Sequence, residues 1–410
     1  MSIVLDSKTF KQEYKRVERA YAHSSSSPAD TAILYTEFFE ALTSYLKDCE
    51  GNETTNEDIG KTVGCDGVLD TIVDVALEYA SFSTSILSVV NVFGLIYTLA
   101  DILFDRAYYR AAWHLFNIAY QGFTNEQKVD CVLKLALLLE EVGDIYNAVK
   151  VLENAETSPR HATLQQKKCN SRLITTRVRI KLDNLLAEDD KKKKTNEDYL
   201  VELGHFTTEI KSALSQDDDN YEAFYVSGLI YEKTALHSAL ADVTSLHSKA
   251  IEEFNTAIEI CIGNSDEETL FRGNCYIALG RAYDGKSDYG HALAQFQEAK
   301  RCFSSGASIY PVYTSVADDL IRQAEAKEQG FNEDQGFSVA AHKIMTCPEM
   351  AILEKRYYEN KAVRKNFIRE RHRIEAPYSP KFYILQRWNS FTPILSTDRI
   401  PSTLLSLIVV

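Results

Sequence analysis

Proline and glycine are scarce, with 8 and 17 in 410 residues, so long segments run without a chain breaker. That scarcity excludes a turn-rich β architecture and leaves room for long helices. The eight cysteines (Cys49, Cys65, Cys131, Cys169, Cys261, Cys275, Cys302 and Cys347) form no C-x-x-C pair and no short cluster. Neither a disulfide framework nor a cysteine zinc site fits that spacing, and buried, reduced thiols are expected. The chain also lacks a surplus of positive charge: the formal net charge is −14, which argues against a general nucleic-acid binder. Its first residues, Met1 to Lys11, have neither the basic start nor the apolar run of a secretory signal, so a cytoplasmic location is expected.

Chemistry-bearing motifs are missing as well. The nine histidines never occur as H-x-H or H-E-x-x-H, so no metal site is assigned. No phosphate-binding loop, dinucleotide fingerprint or nucleophile elbow is present, and no cofactor is expected. Acid pairs such as Glu252-Glu253 and Asp318-Asp319 read as solvated helix surface. No charge occurs between Glu78 and Asp101, a gap long enough for a membrane helix. Its serines, threonines and Asn91, and its continuity with a repeat described next, favour a buried helix pair without membrane insertion.

What is present is internal repetition. Tyr276, Leu279, Gly280 and Tyr283 are followed by Asp288-Tyr289, Ala292, Phe296 and Ala299. Small residues at Gly280, Ala292 and Ala299 let two helices approach closely, and Tyr283 and Phe296 fill the space between them. A second copy runs through Val132, Leu135, Ala136, Leu139, Gly143-Asp144, Ala148, Leu152 and Ala155. A third has Phe224, Gly228 and Tyr231, but its Ala250, Phe254 and Ala257 fall ten residues late, so that hairpin must be elongated. A fourth, degenerate copy passes through Ile96, Leu99, Ala100, Leu103, Ala112, Phe116 and Ala119.

These spacings resemble the tetratricopeptide repeat, W-x2-L-G-x2-Y followed by A-x3-F, with Tyr276 in place of the leading Trp. The fold class expected is all-α, a tetratricopeptide-like α-solenoid of antiparallel helical hairpins with a short extended C-terminal segment. Helices are also expected over Phe10–His23, over Pro28–Cys49 with Pro28 at the helix start, and over Arg172–Leu186 and Tyr199–Leu214, with the charge run from Glu188 as a loop between the last two. The division expected is an N-terminal helical region (1–92), the solenoid (93–330), basic C-terminal helices (331–375) and an extended tail (376–410).

The resemblance implies a concave groove lined by the first helix of each hairpin and gripping a protein or peptide partner. Carried onto this sequence, it places Asn274, Ile277, Arg281 and Asp284 there, with Glu222, Tyr225, Leu229 and Glu232 from the third copy. Asp130, Leu133, Leu137 and Glu140 come from the second. The set leans acidic, which favours a basic or mixed-charge partner through on-rate and specificity. The competing reading for this surface is a solvated wall, or one covered by the chain's own C-terminal segment. In that segment Lys355, Arg356, Lys361, Arg364, Lys365, Arg369, Arg371 and Arg373 alternate with Tyr357, Tyr358 and Phe367, a pattern able to meet nucleic acid or to dock on an acidic solenoid.

Near the end, Ile384 to Ile394, with Arg387-Trp-Asn-Ser-Phe-Thr-Pro at its centre, resembles the opening of the metallo-β-lactamase-like domain that follows helical repeats in some bacterial proteins, including ones linked to phage defence. No H-x-H-x-D-H motif follows. The function expected is therefore a non-enzymatic interaction scaffold or adaptor, which the second resemblance implies to be the sensor or adaptor part of a bacterial defence system. The alternative is the helical portion of a hydrolase whose catalytic domain is missing.

Overall fold

The structure, a computed structural model of the chain, describes residues 7–23, 27–48, 63, 66–82, 91–157, 162–189, 195–238, 240–304 and 311–328. The basic stretch, the extended tail and the lactamase-like motif lie outside the described residues. Among the described residues every regular element is an α-helix and there is no strand. No described helix is long and apolar enough to cross a membrane. The helices fall into two compact units, divided between Ala155 and Glu156.

The first unit holds α1 (Ser7–His23), α2 (Pro28–Asp48), α3 (Asp66–Phe82), α4 (Val92–Asp105), α5 (Tyr109–Gly122), α6 (Asn125–Glu141) and α7 (Ile145–Ala155). Pro28 takes the first helical position of α2, where a missing N–H costs nothing, and the Ser27 hydroxyl accepts from the Asp30 N–H at 3.2 Å. Aromatic rings from α1, α2 and α3 meet in the core: Phe10 lies against Phe38 and Tyr45, and Phe39 stacks on Tyr79. The described part of the uncharged stretch is core, since α4 buries Ile96, Leu99, Ala100 and Leu103.

The second unit holds α8 (Leu164–Asp189), α9 (Asn196–Gln216), α10 (Tyr221–His237), α11 (Leu240–Ile260), α12 (Asp266–Gly285), α13 (Tyr289–Ser304) and α14 (Pro311–Glu328). Each helix packs on the next in the chain, and the first helices of successive hairpins, α8 on α10 and α10 on α12, also touch. Short connections make consecutive helices antiparallel. The third repeat copy is elongated as its late second-helix signature requires, because α11 starts at Leu240, well before Ala250. Its neighbour is long too: α8 has 26 residues and α9 has 21. Tyr199 of α9 stacks on His237 of α10 with ring centroids 4.6 Å apart, so the extension of one hairpin is covered by the other.

Repetition is visible in backbone detail. Three hairpins, α4–α5, α6–α7 and α12–α13, turn on three residues each, Arg106–Tyr108, Val142–Asp144 and Lys286–Asp288. In each, the middle residue is left-handed: Ala107 (φ 58°), Gly143 (φ 85°) and Ser287 (φ 59°). In each, the following N–H donates five residues back, Tyr108 to Leu103 at 2.9 Å, Asp144 to Leu139 at 2.8 Å and Asp288 to Tyr283 at 3.0 Å. This is the Schellman closure of a helix end. Only one of the three positions is glycine, so Ser287→Gly and Ala107→Gly should each raise stability by about 0.5–1 kcal/mol, and Gly143→Ala should lower it by a similar amount. Urea unfolding followed by circular dichroism checks both signs.

Close packing within hairpins follows the same rule. A Cβ added to Gly280 would fall inside the Phe296 ring, one added to Gly228 inside the Phe254 ring, and one added to Gly273 inside the Phe303 ring. The Gly–Phe contact recurs in the elongated hairpin although Gly228 and Phe254 are ten residues farther apart in sequence than Gly280 and Phe296, so the extra residues extend the hairpin beyond that crossing without removing it. None of the described cysteines forms a disulfide: Cys131, Cys169, Cys261 and Cys275 are buried and Cys302 is half-buried, while Cys49, Cys65 and Cys347 lie outside the described residues.

Candidate partner-binding wall

In the second unit α8, α10, α12 and α14 are the first helices of successive hairpins, and they are joined edge to edge by polar side chains. Asn220 caps α10, its Oδ1 accepting from the Ala223 N–H at 3.1 Å, while its Nδ2 donates to Ser171 Oγ at 2.8 Å and Thr175 Oγ1 at 3.2 Å on α8. Glu232 of α10 forms an ion pair with Arg281 of α12. Asp284 of α12 pairs with Lys327 of α14 at 2.8 Å. On α8, Arg179 pairs with Asp183 at 3.0 Å and both are buried. Every pair links groups of opposite sign in a partly dry setting, where the attraction is stronger than at an open surface.

The residues expected to line the groove are placed as follows. Tyr225 and Leu229 are buried in the core that α8 to α12 share, and Ile277 in the core that α12 to α14 share. Burial, together with Cys275, Glu232 and Asp183 and against the opposing Arg281, pushes the Tyr225 phenol well above its usual range. Asn274 is fully buried, and neither its Oδ1 nor its Nδ2 has a partner among the described residues. Glu232 is 5% exposed, with Oε1 on Arg281 and no partner for Oε2 among the described residues. Asp284 is half-buried and Glu222 exposed. In the first unit, Leu137 and Glu140 are buried and Asp130 and Leu133 half-buried on α6.

The acidic lean of these positions is offset in the second unit, because Arg281 matches Glu232 and Lys327 matches Asp284. Lys327 was not legible as a wall residue, since it follows the last recognisable copy. His247 was missed for a different reason: it belongs to the N-terminal extension of α11, where no repeat position applies. Its imidazole lies against Gly285, at the end of α12, where a Cβ would collide with it. Burial lowers its pKa below the usual value, the nearby Lys286 and Arg281 act in the same sense, and Glu232 and Asp284 oppose them.

Among the described residues, the one set of acids close enough to share a cation is Asp217, Asp218 and Asp219, which follow α9. Two of those acids meet Lys168, each at 3.8 Å. No protein-family model matches the chain, and no curated protein matches it. Among solved structures it is similar to the crystal structure of the MamA protein, at 16% identity and a TM-score of 0.30, over 52% of this chain and 91% of that one.

Proposed function

We propose that this chain is a protein-interaction scaffold, not a catalyst, and that the first-helix wall of its second unit receives an extended segment of a protein partner. The observation that carries this reading is the line of ion pairs and caps from α8 to α14. It holds four first helices edge to edge through Asn220, Glu232–Arg281 and Asp284–Lys327. A wall held in place before the partner arrives loses little entropy on binding. With the buried pairs neutralised, the acidity left accessible is that of Glu222 and part of Asp284, so a partner segment carrying Lys or Arg at matching intervals is favoured. Cysteines outside any disulfide among the described residues, one of them half-buried, fit a reducing compartment such as the cytoplasm.

A photo-crosslinking residue tests the reading without disturbing the buried pairs. Placed at Glu222 in the full chain, it should trap one defined partner in the native host. The same probe at Glu259, exposed on α11, should trap nothing in common with it. Identical products from both positions would refute the wall as the binding surface.

A further inference from the structure

Two buried polar side chains flank the last turn of α12: Glu232 of α10 pairs with Arg281, and the His247 ring of α11 lies against Gly285, four residues on and on the same helix face. Glu232 Oε2 is an acceptor without a donor among the described residues, and His247 Nδ1 is a ring nitrogen without a partner there. Both residues are 5% exposed. Buried polar atoms left in this state are rare and costly, and a neutral ring limits the cost by carrying its hydrogen on Nε2. Once a proton from solvent is added, Nδ1 becomes a donor and must find an acceptor.

The charged groups that act on the ring come from each element around it: Glu232 on α10, Arg281 and Asp284 on α12, and Lys286 in the turn that follows. Lys286 is itself held by the Ser248 hydroxyl at 3.1 Å, and Asp284 by Lys327 at 2.8 Å. Glu232 is thus the facing carboxylate with an oxygen to spare. It is also the group through which α10 holds Arg281.

We propose that His247 and Glu232 form a proton-operated latch: protonation of His247 draws Glu232 from Arg281 to the imidazolium Nδ1–H, and the seam between α10–α11 and the C-terminal end of α12 loosens. No bond other than hydrogen bonds changes, and the one proton taken up from solvent is returned when the pH rises. At neutral pH the ring is uncharged and the Glu232–Arg281 pair closes the seam. Acidification costs stability, because a buried imidazole whose folded pKa lies below its unfolded value binds its proton more weakly in the folded state. That loss begins as the pH falls through about 6.5, the unfolded value.

The test is hydrogen exchange of the full chain, read at the amides of Arg281 to Lys286 and corrected for the intrinsic pH dependence of exchange. Between pH 7.5 and 5.5 the corrected rates should rise by about 10-fold, the equivalent of one pKa unit of differential proton binding. His247→Gln, which cannot take up the proton, should remove the rise. Glu232→Gln, which keeps the shape but not the charge, should move its midpoint to lower pH. Acid loosening that persists in His247→Gln, or no change at these amides in the unmodified chain, would overturn the proposal. If Glu232→Gln proves too unstable to measure, the 15N shift of His247 Nδ1 in the unmodified chain decides, since a latch requires that nitrogen to gain its hydrogen as the amides loosen.

Discussion

Phe254→Ala in the full chain is expected to cost about 3–5 kcal/mol, and Phe296→Ala a similar amount, because each ring fills the space left where a glycine on the facing helix has no side chain. Gly228 and Gly280 are the other halves of these contacts. A larger residue at either has nowhere to go, because the ring that occupies the site is itself buried and held by the second helix. Gly280→Val should therefore destabilise by about 1–3 kcal/mol or more through overpacking. Urea unfolding of Gly280→Ala, of Phe296→Leu and of the two combined separates the two effects: the double variant should be less damaging than the sum of these singles, since the smaller side chain gives the new methyl room.

Glu232→Ala should be as damaging for an electrostatic reason. It takes from Arg281, whose side chain is 14% exposed in the seam between α10 and α12, the carboxylate it pairs with, and loss of one member of such a buried pair costs about 3–5 kcal/mol. Replacing both, as Glu232→Leu with Arg281→Met, should recover most of the loss, because an apolar pair of similar volume leaves no charge without a counterion. A double-mutant cycle by urea unfolding measures the coupling. A Glu232→Ala variant as stable as the unmodified chain would mean that the pair contributes nothing to the seam.

These two positions show what was legible in the residues and what was not. Gly280 with Phe296, and Gly228 with Phe254 displaced by ten residues, state the helix crossings directly, because a missing side chain and a large ring at fixed intervals leave one way to pack. The lengthened α8–α9 hairpin was only half visible. Apolar periodicity placed its two helices, yet α8 begins at Leu164 and α9 at Asn196, so both start earlier than that pattern marked. The tight turns hid for a local reason: Ala107 and Ser287 take the left-handed conformation that glycine alone would have advertised.

The wall was legible as a set of helix faces and not as a set of contacts. Repeat spacing named Arg281, Glu232 and Asp284. What it cannot carry is which of them meet, since Glu232 and Arg281 are 49 residues apart and Lys327 lies 43 residues beyond Asp284. Nor does a heptad-like spacing separate a side chain that faces the groove from one that fills the seam beside it, which is why Tyr225, Leu229 and Ile277 are found in the cores. The division between Ala155 and Glu156 likewise leaves no trace in the repeat pattern.

Hydrogen exchange of the full chain with and without its crosslinked partner examines the binding wall most directly. Protection should appear on the exposed faces of α10, α12 and α14 and leave α11 and α13 unchanged; protection confined to α11 and α13, with the first helices unaffected, would contradict it.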